Sequence, residues 1–88
     1  MDAKLTRRPD GVTFNALSEQ VFAVLARYTV FPWPVMVAQC KRVGADPANL
    51  TAPDVKRALP HLVAGVSRFT DPKKAAAAER ELLALSRA

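Results

Sequence analysis

Two side chains in this sequence have the types needed for nucleophilic chemistry: Cys40, the sole cysteine, and His61, the sole histidine. A histidine within hydrogen-bond reach can draw the proton from a thiol. Here two different helices would have to bring the pair together. Cys40 falls on the apolar stripe of its segment, where a cysteine behaves as a small buried hydrophobe. His61 follows Pro60 at what reads as a rim position. Asp46, Asp54 and Asp71 are each explained as helix-start residues rather than as acid–base partners. Glu79 and Glu81 are two apart, so they do not share a helix face. One cysteine and one histidine fall short of the four ligands of a structural zinc site. The stretch Gly44 to Asn49 lacks the alternating acids of a calcium loop, and Gly11, Gly44 and Gly65 are too scattered to cradle a phosphate. The expectation is a protein without catalytic activity, cofactor or metal.

Binding chemistry is better represented. Phe31-Pro32-Trp33-Pro34 puts two rings into a connection, where they either plug the end of a core or meet a partner. Trp33 is the natural anchor of such a patch, and Phe31, Met36 and Leu83 are expected to complete it. A second surface is basic. The chain has 13 Lys and Arg against 8 Asp and Glu, a net charge of +5. The pairs Lys41-Arg42, Lys56-Arg57 and Lys73-Lys74 could converge on one face, with Arg7 and Arg8 on an N-terminal arm, and touch phosphates without reading bases. A helix-turn-helix does not fit. The link from Gly44 to Thr51 is longer than the three or four residues of that motif, and the following helix lacks the polar cluster that reads base edges. The leading expectation is therefore a small helical interaction or regulatory module, binding a protein partner or a second copy of itself around Trp33. The alternative is a small basic protein that binds nucleic acid without sequence preference.

These surfaces must be carried by very little scaffold. At 88 residues the chain has room for one core, and 50% hydrophobic against 24% charged residues is enough to bury one. A lone cysteine excludes an internal disulfide and fits a reducing, cytoplasmic setting. Residues 1–11 have no apolar run of the kind a secretory signal carries and read as a flexible tail ahead of a single helical domain, 12–88. The apolar stretch from Val21 to Ala38 is interrupted by Arg27, Pro32 and Pro34, which argues against a membrane span. Abundant Ala, no Ile and more Arg than Lys are the bias expected of a GC-rich bacterial genome.

Apolar residues recur at helical rather than alternating spacing throughout, so the expected fold is all-α: a compact bundle of four main helices, or five if Pro60 divides the third. The first helix is expected to start after Thr13, with Val12 and Leu17 as a staple and Asn15 as the other cap, and to stop by Phe31. The second starts at Pro34 and ends at Gly44, a candidate left-handed cap. Asp46 to Leu50 reads as a single helical turn. Thr51 and Asp54 have capping-box spacing at the head of the third helix, whose inward stripe is Val55, Leu59, Leu62, Val63, Val66 and Phe69. Thr70-Asp71-Pro72 opens a fourth helix running to about Ser86, with Ala75, Ala78, Leu82 and Leu85 inward.

Overall fold

The computed structural model describes residues 11–87. They form four helices: α1 (Ala16–Tyr28), α2 (Pro32–Arg42), α3 (Ala52–Ser67) and α4 (Pro72–Ser86), with no strand among the described residues. Sequential helices pack side by side, and α4 closes the ring against α1, so α2 and α4 occupy opposite corners. Fully buried Val21, Leu25, Met36, Cys40, Val55, Leu62, Val66 and Leu82 fill the middle. No described helix is long and apolar enough to cross a membrane. The expected tail and its Arg7 and Arg8 lie outside the described residues, apart from Gly11.

Local chemistry explains each boundary. Asn15, not Thr13, caps α1: its Oδ1 accepts from the Ser18 N–H at 2.8 Å, so the staple expected between Val12 and Leu17 has no role there. The α2 helix begins two residues earlier than expected. Pro32 holds the first position, its fixed φ suited to a helix start, and the Val35 N–H closes the turn on the Phe31 carbonyl at 3.1 Å. Its end is a Schellman motif: Gly44 sits at φ +70°, its N–H donates to Lys41 O at 3.2 Å, and the Ala45 N–H donates to Cys40 O at 3.0 Å.

The segment Asp46 to Leu50 is a hydrogen-bonded turn rather than a helical one, with the Ala48 N–H on Asp46 Oδ1 at 3.0 Å. The capping box is present on α3: Thr51 Oγ1 accepts from the Asp54 N–H at 3.3 Å, and Asp54 Oδ2 from the Thr51 N–H at 3.1 Å. Pro60 does not divide that helix. It stands exposed one turn after exposed Lys56, so the carbonyl it deprives of a partner lies on the wet side, where water can serve it. Asp71 caps α4 through the Lys74 N–H at 2.8 Å.

Candidate functional site

The turn between α1 and α2 and the turn between α3 and α4 meet at one end of the bundle. Buried Thr29 shapes the first. Its N–H finishes α1 on the Leu25 carbonyl at 2.9 Å, and its Oγ1 accepts from the Phe31 N–H at 3.0 Å. Val30, between these anchors, is left 55% exposed. In the second turn the Phe69 N–H donates to the Val66 carbonyl at 2.9 Å, which carries Phe69 beyond the last turn of α3 and off its inward stripe. Phe69 is 50% exposed instead of buried, and its ring packs against Phe31 with centroids 5.4 Å apart.

Phe69 borders two shallow hollows. One, about 420 Å³, lies along the seam of α2 and α3, with Phe31, Pro34, Val35 and Ala38 on one wall and Gly65 and Arg68 on the other. Gly65 permits the close approach of these helices, because a Cβ there would lie 3.0 Å from Val35 Cγ1. The other, about 310 Å³, is lined by Ala26, Tyr28 and Val30 on one side and by Thr70 and Lys74 on the other. Beside it Glu81 joins α4 to α1, accepting from the Tyr28 hydroxyl and pairing with Arg27. That hydrogen bond, followed by burial and the Glu81 charge, raises the Tyr28 pKa above its ordinary value.

The patch expected around Trp33 is divided by the fold. Phe31 does reach this end. Trp33 is half-buried and stacks on Phe14 at 5.5 Å, and Phe14 in turn meets Phe22 edge-on at 5.6 Å, so these rings form a cluster that borders neither hollow. Met36 cannot be a contact residue: it is 0% exposed at the centre of the core, because it lies one turn before buried Cys40 on the same face of α2. Leu83 is half-buried on α4, away from both hollows. Val30 and Phe69 were not singled out as surface residues by sequence reasoning. The available signal was Thr70-Asp71-Pro72, which ends α3 early enough to push Phe69 off the stripe.

The basic pairs do not converge on one face. Lys41 and Arg42 end α2 while Lys56 and Arg57 open α3, so these four share the loop end. Lys73 and Lys74 open α4 at the opposite end, with about 16 Å of helix rise between Lys56 and Ser67. Arg57 is already ion-paired with Asp54. Cys40 and His61 are not joined by a hydrogen bond. Cys40 is fully buried, and burial first, then the Asp54 and Asp46 charges, pushes its thiol up to about 11, which opposes formation of a thiolate. Comparison with protein-family models, curated proteins and solved structures finds no match to this chain.

Proposed function

We propose that the chain is a small helical binding module, without chemistry of its own, that docks another protein at the end formed by Val30, Phe31 and Phe69. The observation that carries this reading is Phe69: an aromatic ring held half in water between two hollows, where Val30 is the only other exposed large apolar side chain among the described residues. Leaving apolar area hydrated forgoes about 25 cal/mol for each Å². The fold does not need a ring there, since Phe69 lies past the end of its helix and a small polar residue would make the same turn. Contiguous exposed apolar surface with charged residues at its rim is typical of binding sites. Free Cys40 suits a reducing compartment, and the module is taken to act in the cytoplasm.

The phosphate-binding alternative retains four basic residues at the loop end, but Asp46 and Asp54 stand among them and Arg57 is engaged by one of these. The test is affinity capture with wild type and Phe69→Ser in parallel, each with and without nuclease, after thermal unfolding has shown that both are folded. A protein that survives nuclease and is lost with Phe69→Ser is expected. Capture indifferent to Phe69→Ser, or dependent on intact nucleic acid, overturns the proposal. Sedimentation over about a hundredfold dilution tests the second-copy reading, which predicts mass that falls with concentration.

A further inference from the structure

We infer that the occupant of this end is an acidic amphipathic helix of the partner protein. The inference rests on the binding-module reading and adds the chemistry of what is bound. The shape of the α2–α3 seam comes first. Phe31, Pro34, Val35 and Ala38 have the spacing i, i+3, i+4, i+7 on one wall, and Gly65, Arg68 and Phe69 have i, i+3, i+4 on the other. Two such stripes side by side make a trough that a third helix can fill with its own i, i+3 and i+4 side chains. The longer stripe rises about 10 Å, two turns of helix.

Charge selects the sign of the occupant. Arg68 stands on one hollow, Lys74 on the other and Lys73 beside it, all exposed, and among the described residues none of the three joins an ion pair. The nearby carboxylate of Asp71, which accepts from the Lys74 N–H in capping α4, leaves these cations in excess. Two lysines in the first turn of a helix oppose its dipole, a cost to the free fold that a bound anion relieves. A second copy presenting the same face would set like charges against each other. A flat bilayer would touch Val30 and Phe69 but leave the trough floor at Val35 and Gly65 unfilled.

The test is an amide-shift NMR titration of the full chain. The probes are a capped helical peptide of about four turns with a Leu stripe flanked by Glu, the same peptide flanked by Lys, phosphatidylglycerol vesicles and a short DNA duplex. The Glu peptide is expected to bind, to shift residues 31–39 and 65–74, and to weaken with salt. Combined Arg68→Glu, Lys73→Glu and Lys74→Glu should weaken it about tenfold or more and transfer preference to the Lys peptide. Equal, Phe69-dependent binding of both peptides overturns the acidic assignment while leaving the module reading intact. Failure of both peptides overturns the helical occupant, and the affinity capture then judges the module reading separately. Preference for vesicles or duplex overturns it in favour of a lipid or nucleic-acid partner. Thermal unfolding of the triple variant guards against misfolding, since these exposed charges carry none of the core.

Discussion

At the end where α1 and α3 begin, Leu50 is 2% exposed and both of its backbone groups are engaged from another helix. Its N–H donates to Ser18 Oγ at 3.0 Å and its carbonyl accepts from Asn15 Nδ2 at 2.9 Å. The Asn15 N–H donates to the Ala48 carbonyl at 2.9 Å, so two polar residues fasten an entire loop. At the opposite end, where α2 and α4 begin, Val30 and Phe69 stand half in water beside Arg68, Lys73 and Lys74, which join no ion pair among the described residues. The first end uses its polar groups to complete the fold, and the second leaves apolar area and charge that the fold does not use. On the proposed reading, the incompletely satisfied end is where a partner would contribute.

The core common to both ends should respond most. Leu62→Ala should cost about 2–5 kcal/mol in urea unfolding, whereas Leu59→Ala, which truncates a half-buried side chain, should cost less than about 2. Similar losses at the two sites would show that the core is misplaced. Next comes the fastened end. Ser18→Ala leaves the buried Leu50 N–H without an acceptor and should cost about 1–3 kcal/mol. A loss within about 0.5 kcal/mol, as for an ordinary surface change, would remove the contrast between the ends.

The buried core has a pH signature of its own. The folded chain holds the Cys40 proton more tightly than the unfolded chain, with the pKa raised from 9.0 to about 11. Its contribution is thus fully present below pH 9 and is lost as pH rises from 9 through 11, a fall on the order of 2 kcal/mol. Tyr28, raised by its hydrogen bond to Glu81, acts in the same direction above pH 10. Denaturant midpoints that stay flat to pH 11 would contradict this. The smallest effect is expected at the open end: Phe69→Ser should cost about 0.5–1.5 kcal/mol, because the half-exposed ring packs mainly on Phe31. A loss of 2 kcal/mol there would make Phe69 a structural plug.

Helix type and the four main segments were legible because each carries its own stripe, and most carry a readable cap: the Thr51 and Asp54 box, Asp71 with Pro72, and Gly44. Continuity through Pro60 was not, since a proline's damage depends on whether the deprived carbonyl faces water. The Asn15 and Ser18 fastening joins residues more than 30 apart in sequence, and no local pattern announces it. The placement of the residues expected around Trp33 was hidden for a related reason. Phe31 stands beside the prolines that set the turn, but Met36 shares the inward face of Cys40, and the end of α3 decides whether Phe69 is core or surface.

The central claim is that the Phe69 end receives a partner and the Leu50 end does not. Photo-crosslinking in living cells tests it most directly, with a photoreactive phenylalanine analogue placed at Phe69 in one variant and at exposed Asn49 in another. The account predicts a discrete protein adduct from position 69 and none from position 49. Adducts from position 49 alone, or equally from both, would contradict it.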